Sequence, residues 1–154
     1  KVTVVAPGWM PDQRRVDLAP GGSTADFKLE PGLRVRFCFV DADGKAIPGV
    51  GVGIQSWRGG QALYNHRHPN VLDTKIPTIA DEDGVYEWTW APGDAVTFRF
   101  HKEGYRDLED MAFTADPKSE FEITLSRAAD GRQPRQEPLG PGREQDRGQQ
   151  ARRE

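Results

Sequence analysis

Cysteine is nearly absent from this chain: Cys38 is the only one among 154 residues. A single cysteine allows neither an internal disulfide nor a metal cluster held by several thiolates, and it leaves the redox compartment open. A nucleophilic role for Cys38 is also disfavoured, because no histidine stands in local register with it on its predicted strand.

Long apolar runs and an excess of one charge are missing as well. The formal net charge is −3 at pH 7, and no apolar run approaches the ~20 residues of a membrane-spanning helix. A mildly acidic chain has no electrostatic footprint for nucleic acid or for an anionic membrane. We therefore expect neither a nucleic-acid partner nor membrane insertion of this segment.

Aromatic residues are missing from residues 128–154, where Leu139 is the only large apolar side chain. Such a segment cannot bury enough apolar surface to offset the entropy that a chain loses on folding. The composition predicts a disordered tail over 128–154.

Residues 33–127 alternate apolar and polar side chains in short runs that are separated by Gly, Pro and Asp turns. Alternation with period two is typical of strands with one buried face. Short strands at this spacing predict an all-β fold, namely a seven-stranded Greek-key sandwich of the prealbumin-like or immunoglobulin-like kind. The predicted strands are LRVRFCFV, VGVGIQSW, IPTIA, VYEWTW, AVTFRFH, LEDMAFTA and EFEITL.

Two short stretches pair acids before a glycine, DADG at 41–44 and DEDG at 81–84. Calcium loops begin in a similar way, but neither stretch has the later glutamate at the spacing that an EF-hand needs. Asp-x-Asp-Gly is ordinary turn chemistry, and we expect two turns here.

The first 31 residues repeat features found near the end of the 33–127 region. VVAPGW at 4–9 matches FHKEGY at 100–105, and TADFKLEP matches KSEFEITLS. An offset of about one β-sandwich length is typical of a tandem array. We therefore expect residues 1–31 to be the last strands of a preceding repeat, with residues 32–127 forming the domain itself.

A family resemblance is carried by VDADGKAIPGVGVGIQSW, TIADEDGVYEWTWAPGDAVTFRFHKEGYRD and FEITLSR. These stretches resemble the carboxypeptidase regulatory-like domains, relatives of the collagen-adhesin B-type (CnaB-like) and transthyretin-like, prealbumin-like sandwiches. The resemblance implies a non-catalytic accessory module, a spacer or protein-interaction unit, in a larger bacterial and extracytoplasmic protein. It implies no catalytic residue and no cofactor, with neighbouring domains of the same polypeptide as partners.

His66 and His68 in YNHRHP are the main candidate metal ligands. Side chains at i and i+2 of an extended segment point the same way, so the two imidazoles can share a metal ion. Asp73 or His101 is the candidate third ligand. The alternative is a polar, solvated loop without a metal.

The stretch WRGGQALYNHRHP also loosely resembles the intradiol dioxygenases, which hold iron with two Tyr and two His. The resemblance implies that Tyr64 stands for the first tyrosine. APGDAVTF has no tyrosine for the second, and FRFHKEGY has one histidine where that family shows two. A metal-dependent enzyme is therefore the weaker alternative.

Trp57 and Tyr64 are the candidate ligand-binding aromatics. Trp57 is out of phase with Val50, Val52 and Ile54, which predicts an exposed ring next to the 58–75 loop. These two aromatics with that loop would form a carbohydrate-binding module, the first alternative function. Tyr86, Trp88 and Trp90 also lie on one face, but a small sandwich needs such side chains to fill its core.

Overall fold

The computed structural model describes residues 1–63, 75–118 and 120–129, and within these ranges the chain is all-β. The tail prediction concerns residues that lie almost entirely outside these ranges. No helix able to cross a membrane occurs among the described residues. The eight strands are β1 (Val2–Val4), β2 (Asp12–Arg14), β3 (Leu33–Val40), β4 (Gly51–Trp57), β5 (Val85–Ala91), β6 (Val96–His101), β7 (Leu108–Phe113) and β8 (Phe121–Thr124).

Two three-stranded sheets form the body, in the orders β5-β3-β8 and β4-β6-β7. β3 pairs antiparallel with β5 and parallel with β8. Because β7 belongs to the second sheet and β8 to the first, the chain crosses between the sheets after β7. In the second sheet both pairings are antiparallel. The prediction of an all-β sandwich is confirmed.

The core lies between the two sheets and follows the predicted period of two. In β3, Val35, Phe37 and Phe39 are each at most 1% exposed, while the residues between them are half-buried. Tyr86, Trp88 and Trp90 of β5 fill the core from the same sheet, as the sequence predicts. The opposite sheet contributes Val52, Ile54, Phe98 and Phe100.

The predicted strand IPTIA is not a regular strand. Residues 76–80 run beside the edge of β4, where Thr78 O accepts from Val52 N at 2.9 Å and Val50 O accepts from Ala80 N at 2.8 Å. Only Ile79 forms a bridge, with Gly51. The body therefore has six regular strands in the described ranges, with a loosely paired segment at one edge.

Both Asp-Gly stretches form the predicted turns. Asp41 Oδ1 accepts hydrogen bonds from the backbone N–H groups of Asp43 and Lys45, at 3.0 and 2.9 Å. Asp81 Oδ1 does the same for Asp83 and Val85. The first carboxylate of each stretch is thus used inside its own turn.

The N-terminal segment, residues 1–31, carries its own two-stranded sheet of β1 and β2. The end of this segment forms backbone hydrogen bonds with the chain that follows β1. Met10 N donates to Glu30 O at 2.8 Å, and Gly32 N donates to Gly8 O at 3.2 Å. The Met10 side chain lies beside Gly93 of the sandwich. That this segment ends a preceding repeat stays a prediction.

Candidate functional site

Trp57 lies inside the protein, so the prediction of an exposed ring is wrong. The indole is 1% exposed. The physical reason is a bulge in β4: Ile54 pairs with Phe98 and Ser56 with Thr97, which leaves Gln55 as an extra residue. One extra residue reverses which face the following side chains occupy. Trp57 therefore faces the core opposite Val96.

The Trp57 ring has no face available for stacking on a sugar. Its Nε1 donates to Asp94 Oδ1 at 2.7 Å. The guanidinium of Arg58 lies over the ring, 4.5 Å from its centroid. A carbohydrate-binding role would require both the burial and this cation–π contact to be undone.

Arg58 stands in a tight turn that joins Trp57 to Gly60. The two residues bond each other through backbone groups, at 2.8 Å and 3.0 Å. Arg58 and Gly59 have φ of 49° and 72°, the left-handed pair that defines a type I′ turn. Glycine adopts this conformation freely, whereas for arginine it costs roughly 1–2 kcal/mol.

The Arg58 side chain connects three parts of the chain. Its Nε lies 2.6 Å from Asp94 Oδ2, in the turn between β5 and β6. Its Nη1 lies 3.5 Å from Asp12 Oδ1 and donates to Gln13 O at 3.2 Å, both in β2. We call Asp12, Gln13, Trp57, Arg58 and Asp94 the Arg58 junction. A cavity of about 210 Å³ opens beside it, lined in part by Met10, Lys28 and Glu30.

Both carboxylates of the Arg58 junction titrate below their ordinary range. Partial burial raises the pKa of Asp94, but hydrogen bonds from Arg58 and Trp57 together outweigh it and lower the pKa. Burial likewise raises the pKa of Asp12, and contacts with Arg14 and Arg58 outweigh it. The charged forms of both groups are therefore stabilised in the folded protein.

Acid is expected to weaken the junction. A carboxylate with a depressed folded pKa contributes stability above its unfolded pKa of about 3.9, and this contribution is lost as pH falls through the folded pKa. We expect Trp57 fluorescence to change below about pH 4, before the sandwich unfolds, as Asp94 is protonated. In Asp94→Asn this early step should be absent. A single transition with the same midpoint in both proteins would contradict the prediction.

The metal-ligand and aromatic candidates Tyr64, His66, His68 and Asp73 lie outside the described residues. Their flanks are described and anchored in the core. Leu63 is 0% exposed on one side, and Ile76 is 5% exposed on the other. The carbonyl of Pro77 accepts a hydrogen bond of 3.1 Å from the buried hydroxyl of Tyr86. The segment is thus flanked by a buried residue on each side.

His101, a candidate third ligand, lies at the end of β6 that is far from Trp57. Val96 pairs with Trp57, whereas His101 pairs with Gly51. Five residues of strand separate Val96 from His101, about 17 Å. Its Nδ1 is 2.6 Å from Asp107 Oδ1. Across 1–63, 75–118 and 120–129, no group of three or more His, Cys, Asp and Glu side chains is placed to hold a metal ion.

Sequence reasoning missed Arg58 and Asp94. The signal for Arg58 is WRGG, where a glycine pair follows a strand and indicates a tight turn. No sequence signal indicates that the carboxylate of the PGD turn reaches this arginine, 36 positions away.

A second polar cluster lies on the outer face of β3 and β5. Arg36 reaches Glu87 at 3.3 Å and Glu120 at 3.0 Å. A cavity of about 440 Å³ beside Arg36 is lined by Ile79, Asp81 and Glu87, among others. These exposed ion pairs contribute little to stability individually, because water screens them.

Comparison with known proteins gives structural matches only. No known protein family matches the chain, and no curated protein sequence does. One solved match is catechol 1,2-dioxygenase from Acinetobacter sp. ADP1, inhibited by bound mercury, with 17% identity and a TM-score of 0.41. It covers 65% of this chain and 54% of that enzyme, so the chain spans about half the enzyme's length. Another is 3-chlorocatechol 1,2-dioxygenase from Rhodococcus opacus 1CP, with 16% identity and a TM-score of 0.39. This match covers 83% of this chain and 72% of that enzyme.

These matches correct the family prediction. The two solved structures named above are catechol dioxygenases, not carboxypeptidase regulatory-like or collagen-adhesin B-type domains. The expectations drawn from that resemblance, a non-catalytic accessory module and a protein without enzymatic activity, are wrong with it.

Proposed function

We propose that this chain is a metal-dependent β-sandwich enzyme whose metal is held by His66 and His68, with Tyr64 as the third donor. The observation that carries the proposal is the anchoring of the donor-rich segment. Three ligand-type side chains fall within five residues, and the segment that contains them is attached at Leu63 and Ile76, both in the core. Functional side chains on a segment between rigid supports are a common arrangement in enzymes.

The donor types suit a transition metal. Imidazole nitrogen is a preferred ligand of zinc, copper and iron, and a tyrosine oxygen adds an anionic donor. His101 is left out of the proposed set, because the register of β6 places it at the other end of the strand from Val96, the residue that pairs with Trp57. Asp94 is left out as well, since its carboxylate is taken by Arg58 and Trp57.

The four-ligand iron set of the intradiol dioxygenases does not fit this chain. The stretch that would supply the second tyrosine runs through the turn between β5 and β6, and it contributes Asp94 instead. The stretch that would supply two histidines contributes only His101. The proposed site therefore has three donors, His66, His68 and Tyr64.

Metal binding should stabilise the folded protein. With free Zn²⁺ at 100 times its dissociation constant, the free energy of unfolding should rise by about 2.7 kcal/mol, because the metal binds only the folded chain. His66→Ala combined with His68→Ala should abolish this gain. The measurement is denaturant unfolding of tag-free protein with and without Zn²⁺, repeated with Fe³⁺.

His101→Ala is the matched control, because it removes an exposed histidine outside the proposed set. The control should keep the full stabilisation. Equal loss in His101→Ala, or no stabilisation of the wild type by either metal, would overturn the metal site. Turnover of catechol by the metal-loaded protein then tests catalysis separately: a bound metal without turnover would leave a metal-binding protein that is not an intradiol-type enzyme.

A further inference from the structure

We propose that the N-terminal segment, residues 1–31, is the closing part of a second β-sandwich of this chain's own kind, and that it binds a partner sheet with the apolar pattern of β3 and β5. The partner strands join the same polypeptide through β1. None of the proposed metal donors takes part, so the inference goes beyond the proposed function and does not rest on it.

The backbone of residues 1–32 repeats that of residues 97–128 at a constant offset of 96 positions. Each unit has a left-handed glycine in its turn, Gly8 with φ of 88° and Gly104 with φ of 82°. The same offset relates the isolated bridges and the backbone hydrogen bonds of the two units. The bridges are Trp9 with Pro31 and Tyr105 with Arg127, and the bonds are Trp9 N to Ala6 O and Tyr105 N to Lys102 O at 3.0 Å, Met10 N to Glu30 O at 2.8 Å and Arg106 N to Ser126 O at 2.9 Å, and Gly32 N to Gly8 O at 3.2 Å and Ala128 N to Gly104 O at 2.9 Å.

The strands of the two units correspond as well. Val4 of β1 pairs with Asp12 of β2, and Phe100 of β6 pairs with Leu108 of β7, each 96 positions later. Both pairings are antiparallel. A single offset that holds over two strands, their turn and the return stretch is typical of a repeated β-sandwich unit.

The apolar side chains of the two units differ in burial. In the sandwich, the inward residues of this unit are at most 5% exposed, namely Phe98, Phe100, Ile123 and Leu125. Their counterparts at the same offset are Val2, Val4, Phe27 and Leu29. Val2 is 42% exposed, and the other three are only half-buried. The N-terminal segment therefore carries the side chains of a sandwich interior on a partly exposed face.

The contacts of β6 identify the partner. The Phe37 ring of β3 covers Phe98 and Phe100, at centroid distances of 5.0 Å and 5.1 Å, and it stacks on Tyr86 of β5. β6 also pairs with β4 along its second edge, whereas in the described part of the chain β1 belongs to a sheet with β2 alone. A matching partner therefore has an aromatic inner face like that of β3 and β5, and a strand like β4 to pair with β1.

The contacts that hold the segment on the sandwich do not use this face. Val5, next to Val4 in the chain, packs against the sandwich core, and Met10 lies beside Gly93. Neighbouring side chains of an extended chain point to opposite sides. Over the proposed face lies the guanidinium of Arg14, 5.1 Å from the centroid of the Phe27 ring. Such a contact is weak at an exposed site, so a partner sheet can displace it.

A fusion protein provides the partner sheet. Residues 33–96 placed directly ahead of Lys1 add a second β3, β4 and β5, and they join β1 at the position that corresponds to residue 97. A second fusion also carries Val2→Phe and Val4→Phe, because valine leaves space where β6 has phenylalanine. The matched control is this second fusion with Phe37→Asp in the added copy, which places a charge in the inner face.

We expect amide exchange across Val2–Val4 to slow by at least about tenfold in the second fusion, by a smaller factor in the first, and not in the control. Hydrogen exchange followed by NMR or mass spectrometry measures this. Val2→Asp should leave the denaturation midpoint of the unfused chain unchanged, because Val2 is 42% exposed there. The same substitution should remove the protection from the first fusion.

Exchange across Val2–Val4 that stays as fast in both fusions as in the unfused chain would overturn the inference. Equal protection in the Phe37→Asp control would also overturn it, because any added chain would then have the same effect. A lower midpoint for Val2→Asp in the unfused chain would place Val2 in the core of the existing sandwich. A dimer of the unfused chain, detected by sedimentation and with Val2–Val4 protected, would make a second copy the partner. Either of these two results would contradict the proposal.

Discussion

Phe37→Ala is expected to lower the free energy of unfolding by about 3–5 kcal/mol, the usual cost of removing a buried aromatic ring. Phe37 is 0% exposed and stands at the centre of the aromatic core. Its ring centroid lies 4.8 Å from that of Phe113, 5.0 Å from Phe98 and 5.1 Å from Phe100. Because these neighbours come from β6 and β7 of the opposite sheet, the cavity left by alanine would lie between the two sheets and remove contacts that join them.

Chemical denaturation of the variant measures this loss. The total stability of a domain is about 5–15 kcal/mol, so the expected change is a large part of it. Leu18→Ala is the control, because Leu18 is a large apolar side chain that is 86% exposed, and its truncation should change stability by less than about 0.5 kcal/mol. Similar losses in both variants would mean that Phe37 is not the packing centre described above.

Gly32→Ala is expected to destabilise the protein by about 3 kcal/mol, the upper range for overpacking. A Cβ at position 32 would lie 2.1 Å from the Cα of Trp90 and 2.7 Å from its backbone carbon. Those atoms belong to β5 and cannot rotate away as a flexible side chain does. The start of β3 would have to leave β5, which breaks the pairing of Leu33 with Ala91.

The matched control for this variant is Gly60→Ala, because a Cβ there meets no atom within 4 Å and the residue has no left-handed φ. Its free energy of unfolding should stay within about 0.5 kcal/mol of the wild type. Gly32→Ala should also speed amide exchange at Met10, since Gly32 N–H bonds to Gly8 O and holds the N-terminal segment. Equal stability of the two variants would contradict the close approach of Gly32 to Trp90.

Much of the sandwich could be predicted because its strands are amphipathic and locally encoded. The alternation in LRVRFCFV placed Val35, Phe37 and Phe39 in the core, and the structure agrees. The turns at Asp41 and Asp81 were also predictable, because each carboxylate bonds to backbone groups two and four residues ahead.

The predicted strand IPTIA is not a regular strand in the structure. Its apolar residues are typical of a strand, but only Ile79 forms a bridge with β4. Regular pairing depends on the neighbouring strand as much as on the segment itself, and the segment alone does not reveal it.

Some features of the candidate site could likewise be predicted from the sequence, and others could not. The sequence by itself determined the donor types in 64–68 and the two turns, because these follow from residue chemistry and local spacing. Only the tertiary structure decided the face of Trp57, because the bulge at Gln55 is a property of β4 paired with β6. It also decided the Arg58 junction, since Asp94 and Asp12 stand 36 and 46 positions from Arg58. Contacts over such separations are formed by the packing of whole sheets, which no local pattern in the sequence encodes.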